Sequence, residues 1–349
     1  MSRDIELSTH FVIVSGEDID LAKAEVDSLI GLTGVNAEIS WSGQLALIES
    51  EDSPVGFLLA RGATIKEAGI VIGEGELSEN SFDWLSDDEI ECHIDPSKSF
   101  SVRTKSLAVE RYVEQREKLS ALLGARIMRV TGASVSLNQP DINVLVLLTS
   151  ERILVCISNA SRLRHALQLR EPGRKDFFHP SMMNSYLART LCNLAGVQPS
   201  TLVLDPFCGG GGILCEAAII GARTVGWDLN WRLILGARKN LDSISDSEAC
   251  LLQADSRLPP LRARCFDAIV TDPPYGRASS TRGTKARALV QTFIEHVPDL
   301  VKGGGRLCVC GSREMGITGI MSDLDFDVLY QIPVYVHRGL TREVVTVQL

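Results

Sequence analysis

Residues 202–212 read Leu202-Val203-Leu204-Asp205-Pro206-Phe207-Cys208-Gly209-Gly210-Gly211-Gly212. The apolar start predicts a buried β-strand, and the carboxylate that ends it is followed by a glycine turn that opens a helix. An α/β sheet presents a nucleotide-like cofactor in this way, at the carboxyl ends of its parallel strands. The turn lacks the Gly-Lys-Ser/Thr ending of a P-loop and departs from the dinucleotide-binding spacing. We therefore expect a cofactor crevice of another kind at this strand end.

Two further acids follow the next two predicted strands. Asp228 ends the strand that begins at Thr224 and lies 23 residues after Asp205; an acid at this position accepts hydrogen bonds from ribose hydroxyls. Asp255 follows the third strand and is placed to meet an adenine edge. Asp228 alone could be an ordinary turn residue, but acids at three successive strand ends favour a cofactor crevice.

The second motif reads Asp272-Pro273-Pro274-Tyr275-Gly276 and follows the apolar run 266–270. An amine conjugated to a base ring is a poor nucleophile, because its lone pair is spread into the ring. The Asp272 carboxylate, ionised at neutral pH, and the Pro273 carbonyl offer two acceptors for the amine hydrogens. Tyr275 can stack on an extruded base, a contact worth roughly 1–3 kcal/mol. Alone the string could be a plain turn; with the glycine motif it indicates methyl transfer from S-adenosylmethionine to a planar amino nitrogen.

Length and composition suit a soluble globular protein of two or three domains. The 349 residues are 45% hydrophobic and 23% charged, and no apolar run approaches the roughly 18 residues that span a bilayer. The first residues lack the pattern of a signal peptide, so we expect a cytoplasmic protein without a membrane partner. The nine cysteines are expected to be mostly buried free thiols, and no metal site is expected.

The net charge of −9 is unevenly distributed. Residues 1–60 carry eleven acids and two bases, so the remainder of the chain is neutral. Residues 98–129 carry eight bases and three acids, and further bases follow in 162–175. A charge run is usually only a solvated face. Because this one continues to the cofactor-binding half, and local potential governs contact with phosphates, it favours a nucleic-acid surface.

The middle of the chain has a recognisable pattern. The strand around Phe100-Ser101-Val102-Arg103, a long helix, and the turn Asn138-Gln139-Pro140-Asp141 before two apolar strands resemble the THUMP domain of RNA-modifying enzymes. The resemblance implies that this domain, with a ferredoxin-like unit before it, grips the acceptor end of tRNA.

Four stretches together resemble the archaeal tRNA guanine-10 N2-methyltransferases. They are 170–180, 205–212, 272–277 and His337-Arg338-Gly339-Leu340-Thr341-Arg342. The resemblance implies transfer of methyl from S-adenosylmethionine to N2 of guanosine 10 in tRNA, giving N2-methyl- and N2,N2-dimethylguanosine. Two features depart from the family pattern: Gly210 stands where relatives often have Thr, and the amino-terminal region is unusually acidic. Neither departure touches the chemistry.

The predicted fold class is α/β. A Rossmann-like class I methyltransferase domain, with a seven-stranded sheet and a closing antiparallel hairpin, is preceded by α+β ferredoxin-like and THUMP RNA-binding domains. The expected boundaries are 1–55 for the acidic ferredoxin-like unit, 56–158 for the THUMP domain, 159–178 for a basic linker and 179–349 for the methyltransferase domain. Within 56–158 we expect helical material at 57–70, a helix at 110–123 and a strand at 130–137.

The candidate site residues form three sets. The catalytic set is Asp272, Pro273, Pro274 and Tyr275. The cofactor-binding set is His179, Pro180, Asp205, Pro206, Phe207, Gly209, Gly211, Asp228, Leu229, Ala254, Asp255 and Asp272. The RNA-binding set is Arg103, Lys105, Arg162, Arg164, Arg277, Arg282, Lys285, Arg287 and Arg338.

Three alternatives remain open. A guanine N2-methyltransferase for tRNA position 6 or for ribosomal RNA would share every residue named above. DNA amino-methyltransferases use the same acid-Pro-Pro-aromatic string, but they normally bring a domain that reads the major groove. A non-enzymatic RNA-binding adaptor is disfavoured because both motifs are intact. The expected partner is tRNA rather than DNA, and the expected state is a monomer.

Overall fold

The computed structural model describes residues 7–76, 82–107, 115–244, 248–261, 264–274, 284–337 and 340–349. The chain divides into two compact units. The first comprises Met1–Ile19, Thr33–Ala60 and Ile65–Arg162, and the second comprises Asp20–Leu32, Arg61–Thr64 and Leu163–Leu349. Within the described ranges, no helix is both long enough and apolar enough to cross a membrane.

The helices and strands are numbered in chain order. The helices are α1 Ile19–Thr33, α2 Val55–Arg61, α3 Asp87–His93, α4 Gln115–Thr131, α5 Leu163–Leu169, α6 Ser185–Leu194, α7 Gly212–Ile220, α8 Trp231–Asp242, α9 Thr284–Leu300 and α10 Ile317–Asp323. Short 3₁₀ turns span Pro172–Arg174 and Arg313–Met315. The strands are β1 Ser8–Val14, β2 Ala37–Ser42, β3 Leu45–Ser50, β4 Ile65–Glu76, β5 Ser99–Ser106, β6 Ser134–Val135, β7 Ile142–Leu148, β8 Arg152–Ala160, β9 Leu202–Asp205, β10 Arg223–Asp228, β11 Ala249–Gln253, β12 Phe266–Thr271, β13 Val301–Ser312, β14 Asp327–His337 and β15 Leu340–Gln348.

The first unit is built on one mixed sheet. Its strands lie in the order β2-β3-β1-β4-β8-β7-β5-β6, with β5 parallel to β6 and β7 and the other pairs antiparallel. This sheet joins strands from 1–55 with strands from 56–158, which the sequence prediction assigned to separate domains. The predicted domain boundaries stay predictions.

Two local expectations in this unit are wrong. Residues 65–70 form part of β4 rather than a helix, because β4 lies between β1 and β8 and pairs with both. Helix α4 continues to Thr131, and the chain leaves it at Gly132 with φ +73°. Only Ser134–Val135 remains of the strand expected at 130–137. Residues 110–114 of the expected helix lie outside the described ranges.

The second unit confirms the predicted seven-stranded sheet. Its order is β11-β10-β9-β12-β13-β15-β14. Strands β11 to β13 run parallel in that order, and β15 is antiparallel to both β13 and β14. An open parallel sheet closed by an antiparallel hairpin is the class I methyltransferase arrangement. Its topology places the carboxyl ends of β9, β10, β11 and β12 along one edge.

Alternation along the central strands builds a core on each face of this sheet. Val203, Val270 and Cys308 belong to the cluster that contains the apolar residues of α6 and α7. Their neighbours Leu204 and Ile269 belong to the cluster that contains the α9 residues. Because both faces are covered, the strands read as continuous apolar runs. The prediction that most of the nine cysteines are buried free thiols is confirmed for Cys156, Cys192, Cys208, Cys215, Cys308 and Cys310.

The second unit also contains amino-terminal residues. The Glu25 carboxylate, which is fully buried, accepts hydrogen bonds from the backbone N–H groups of Ala63 and Thr64 at 3.0 and 2.8 Å. It also accepts one from Asn193 Nδ2 at 2.7 Å. Arg61 donates to Asn193 Oδ1 at 3.0 Å, and burial lowers its pKa to about 10. Residues far apart in sequence are thus joined by a buried polar network within this unit.

Candidate active site

The two sequence motifs meet at the same edge of the second unit's sheet. Leu204 on β9 is in register with Ile269 on β12, so both strands leave the sheet side by side. Thr271 Oγ1 donates to Asp205 Oδ1 at 2.7 Å. Burial raises the pKa of Asp205, and the negative charges of Asp272 and Asp228 add to the rise. The predicted cofactor motif and the predicted catalytic motif therefore line one site.

Asp205 is only 2% exposed. Besides the bond from Thr271, its Oδ1 accepts from the backbone N–H of Phe207 at 3.1 Å. Burial is the main cause that raises its pKa to about 7; the two hydrogen bonds oppose the rise, and the negative charges of Asp272 and Asp228 add to it. This carboxyl is therefore held near the point where a ligand charge decides its protonation.

The glycine turn follows Asp205 and precedes α7. Gly209 and Gly211 have φ values of +50° and +79°, which residues with a side chain rarely adopt. The backbone N–H of Gly209 donates to Asp228 Oδ2 at 3.1 Å. A β-carbon at Gly210 would lie 2.6 Å from the Met182 sulfur. The turn thus presents bare backbone, with the segment around Met182 packed against one side of it.

Asp228 and Asp255 have different surroundings. Asp228 accepts from the backbone N–H of Asn230 at 2.8 Å, and burial raises its pKa. The Asp255 carboxylate is bound by Arg257, with the shortest contact at 2.5 Å, and this hydrogen bond is the main cause that lowers its pKa. Asp228 is therefore the better placed of the two to accept from a ligand, and the adenine contact of Asp255 stays a prediction.

The remaining predicted cofactor residues surround these acids. The Pro206 carbonyl accepts from Ser256, and Phe207 packs edge-on against Phe293 with ring centroids 5.6 Å apart. Leu229 is 64% exposed. The backbone N–H of Ala254 donates to the Asp228 carbonyl at 3.2 Å. His179 Nδ1 lies 2.6 Å from Ser181 Oγ, and His179 acts electrostatically on Asp228; Pro180, next to it, is exposed.

Asp272 leaves β12 beside the closing hairpin. Its Oδ2 lies 3.6 Å from Arg342 Nη2, and the two side chains are 13% and 17% exposed. Pro273 is buried and Pro274 is partly buried, so the backbone after Asp272 is held by two fixed rings. Tyr275, Arg277, Arg282, Arg338 and the side chain of Lys285 lie outside the described residues.

A family model described as an RMKL-like methyltransferase domain matches residues 172–342. The tRNA (guanine(10)-N2)-dimethyltransferase of Methanothermobacter thermautotrophicus is 32% identical, with 95% of this chain and 96% of that protein covered. This chain belongs to that family. The protein of the same name from Methanocaldococcus jannaschii is 29% identical over 95% of this chain and 97% of its own length.

A solved structure has the same fold. TrmN from Thermus thermophilus superposes with a TM-score of 0.58 at 20% identity, covering 97% of this chain and 99% of its own. At that identity the likeness concerns the fold alone. Among the residues described for this guanine(10)-N2-methyltransferase family member, no group of three His, Cys, Asp or Glu side chains is arranged to hold a metal ion.

The predicted RNA-binding residues of this family member differ in their contacts. On β5, Arg103 pairs with the buried carboxylate of Glu67, and Lys105 Nζ lies 3.7 Å from it. Burial lowers the pKa of Lys105. Arg162 is exposed. Arg103 and Lys105 therefore have a structural partner that the basic sequence pattern does not reveal.

Two further members of that set also have contacts within the second unit. The Arg164 guanidinium lies 5.8 Å from the ring centroid of Tyr186. Arg287 donates to the carbonyls of Met315 and Gly316, the latter at 3.2 Å. Their contacts with RNA stay predictions, and Arg287 holds the end of a 3₁₀ turn whatever else it does.

Sequence reasoning missed three residues of the site. Thr271 binds Asp205, Arg342 contacts Asp272, and Asn240 binds the glycine turn. A signal existed for Asn240, because it is a polar residue on the apolar face of α8, beside the buried Ala237 and Leu241. Thr271 carries no comparable signal, since its partner is 66 residues distant in the chain. Arg342 ends the 337–342 stretch that resembles the family, but the sequence does not show its contact with Asp272, 70 residues earlier.

Proposed function

We propose that this protein transfers a methyl group from S-adenosylmethionine to N2 of guanosine 10 in tRNA, giving N2-methyl- and N2,N2-dimethylguanosine. One observation carries the proposal. In a chain of the tRNA (guanine(10)-N2)-dimethyltransferase family, the Asp272-Pro273-Pro274 string lies at the same sheet edge as Asp205 and the glycine turn. Methyl donor and amine acceptor would therefore meet in one crevice.

The residues present fit S-adenosylmethionine. The turn offers backbone to a ligand at Gly209, which is partly exposed and whose φ of +50° disfavours a side chain. Asp228 ends β10, where a carboxylate accepts from ribose hydroxyls. The raised pKa of Asp205, due first to burial, suits a cationic ligand, because a nearby positive charge favours the ionised carboxylate. When bound, S-adenosylmethionine supplies a methyl group already activated on its sulfonium.

The chain's own residues then have to align the amine and accept its hydrogens. Asp272 and the Pro273 carbonyl accept hydrogen bonds from the N2 amine, which draws the nitrogen out of the ring plane and frees its lone pair. Arg342, at 3.6 Å, orients the Asp272 carboxylate. The two prolines fix the direction of the Pro273 carbonyl. Holding the nitrogen in line with the methyl group supplies much of the rate enhancement.

The first unit is proposed to bind tRNA as a THUMP-type module with a ferredoxin-like part. The bases on β5 support this proposal, although Glu67 balances part of their charge. The exposed Arg162 lies at the end of the same unit. We further propose that the protein acts in the cytoplasm as a monomer and does not use DNA as a substrate.

Methyl incorporation from labelled S-adenosylmethionine tests the proposal. Purified protein is expected to label an unmodified tRNA transcript and to leave duplex DNA unlabelled. Label in duplex DNA would favour the DNA amino-methyltransferase alternative. A protein that binds the transcript but never labels it would favour the RNA-binding adaptor.

A further inference from the structure

Asn240 on α8 is a buried polar residue, and both the oxygen and the nitrogen of its side-chain amide are hydrogen-bonded. It is 2% exposed. Its Oδ1 accepts from the backbone N–H of Phe177 at 2.8 Å. Its Nδ2 donates to the carbonyls of Phe177 and Gly210, at 3.0 and 2.8 Å. One donor and two carbonyls as partners leave a single orientation for the amide.

These bonds fix one peptide of the glycine turn from both sides. The Gly210 carbonyl and the Gly211 N–H belong to the same peptide plane. Asn240 binds the carbonyl, and the N–H donates to the Cys208 carbonyl at 2.7 Å. The peptide between Cys208 and Gly209 is held separately, through the bond from Gly209 to Asp228. Without Asn240, the 210–211 peptide would lose its only side-chain anchor among the described residues.

The same residue ties the turn to the segment that leads into the site. Phe177 is bound at both its N–H and its carbonyl. Its ring packs so closely on α8 that a β-carbon at Gly236 would lie 2.2 Å from it. Two residues further along, His179 begins the stretch that reaches Met182 beside Gly210. One side chain therefore sets the spacing between this segment and the turn.

We propose that Asn240 is a positioning residue for the methyl donor: it holds the 210–211 peptide and the Phe177 backbone in the arrangement that binds S-adenosylmethionine. The inference rests on the proposed function and adds a specific determinant of cofactor affinity. Asn240 has no role in accepting the amine hydrogens, so its loss is expected to act on cofactor binding rather than on tRNA binding.

Asn193 on α6 provides a matched control. It is also fully buried, and its amide likewise donates two hydrogen bonds and accepts one. Its partners are Glu25 and Arg61, which lie in the amino-terminal segments of the second unit rather than in the glycine turn. Asn193→Ala thus removes an equivalent network from the same unit without touching the proposed cofactor cradle.

The test compares cofactor affinity, by calorimetry, in wild type, Asn240→Ala and Asn193→Ala, with Tm for each. We expect both variants to have a lower Tm than the wild type. Only Asn240→Ala should raise the Kd for S-adenosylmethionine, by about tenfold, comparable with losing one net hydrogen bond. Its KM for tRNA should stay within about twofold of wild type. Amide exchange should quicken around Phe177 in this variant alone. Should Asn240→Ala not fold, Asn240→Ser, which keeps one short donor, is measured instead.

Two results would overturn the inference. One is an unchanged Kd in a folded Asn240 variant whose Tm has fallen; the other is an equal loss of affinity in the Asn193 control. A wild-type protein that does not bind S-adenosylmethionine would instead refute the proposed function, and the inference with it. The three outcomes are distinct in a single set of titrations.

Discussion

The second unit buries two carboxylates in opposite electrostatic settings. Glu216 on α7 receives hydrogen bonds from Arg170 and Arg189 at 2.9–3.0 Å. Burial would raise its pKa, but these two cations lower it overall. Asp205 receives only neutral donors, from Thr271 and the Phe207 backbone. Burial, aided by the neighbouring acids, raises its pKa to about 7.

This difference shows that the charge of Glu216 stabilises the fold, whereas the charge of Asp205 belongs to the candidate active site. Glu216 is neutralised within the protein and joins α6, α7 and the basic segment before α6. No ion pair to Asp205 is found among the described residues, so its charge is left for a ligand to balance. A buried acid in that setting costs folding stability, which is the usual mark of a functional site.

The largest expected effect is on turnover. Asp272→Ala removes the proposed acceptor for the amine hydrogens, and we expect kcat to fall by roughly 10²–10⁴-fold. The Kd for S-adenosylmethionine should change little, because the glycine turn is untouched. Single-turnover methylation of a tRNA transcript and cofactor titration measure the two quantities. Normal turnover in this variant would remove Asp272 from the mechanism.

The next effect is on stability. Glu216→Gln keeps the shape of the side chain but leaves Arg170 and Arg189 without a buried counter-charge, and we expect the free energy of unfolding to fall by about 3–5 kcal/mol. Urea unfolding measures it. The control is Asp242→Asn, in an exposed pair 3.9 Å from Arg238, where the expected change is below about 0.5 kcal/mol. Equal effects in the two variants would contradict a structural role for Glu216.

The third effect is a pH dependence of opposite sign for the two acids. The folded state raises the pKa of Asp205, so its contribution to stability is complete below the unfolded pKa and is lost as pH rises through about 7. Between pH 5 and 8, the free energy of unfolding of the wild type should fall by roughly 2–3 kcal/mol relative to that of Asp205→Asn. The folded pKa of Glu216 is lowered, so its contribution is lost instead as pH falls through that folded value.

Urea unfolding of the wild type and of Asp205→Asn at pH 5 and pH 8 measures this difference in the free energy of unfolding directly. S-adenosylmethionine should reduce it, because a bound cation would favour the ionised carboxylate. A constant difference between wild type and Asp205→Asn across this range would show that Asp205 does not titrate there, and the proposed contrast with Glu216 would fail.

The smallest effect concerns tRNA affinity in the first unit. Arg162→Gln should weaken binding a few-fold and reduce the slope of log K against log[salt] by about 0.7–0.9, the value for one phosphate contact. Arg103→Gln should have less effect on affinity, because Glu67 already pairs with its guanidinium. Filter binding at several salt concentrations measures the tRNA affinity of the two variants and of the wild type. A larger loss of tRNA affinity in Arg103→Gln than in Arg162→Gln would show that Arg103, rather than Arg162, is the main phosphate contact.

Local signals predicted most of the second unit and less of the first. Apolar strands that end in Asp205 and Asp228 identify parallel strands and their functional edge without any tertiary information. The expected helix at 57–70 was wrong in its second half because residues 65–70 are hydrogen-bonded to strands on both sides, and the local sequence does not show these distant pairings. The expected strand at 130–137 was wrong because Val130 and Thr131, though β-branched, extend α4.

The site was predictable where backbone conformation or chemistry restricts the residue type: a positive φ favours glycine at position 209, and the proposed reaction needs an acceptor carboxylate at position 272. It was not predictable where the partner is distant in the chain. Asn240 binds a residue 63 positions earlier, and Arg103 is balanced by Glu67, 36 positions earlier. The local sequence indicates neither partner: Arg103 was assigned to RNA binding without its ion pair to Glu67, and the position of Asn240 on an apolar helix face does not say what it binds.

Position-resolved mass analysis of a methylated tRNA transcript tests the central claim most directly. The transcript carries guanosine at both position 6 and position 10, and a second transcript carries adenosine at position 10. The account predicts N2-methylated guanosine at position 10 of the first transcript, an unmodified position 6, and no methyl group in the second. Methylation at position 6, or undiminished methylation of the second transcript, would contradict it.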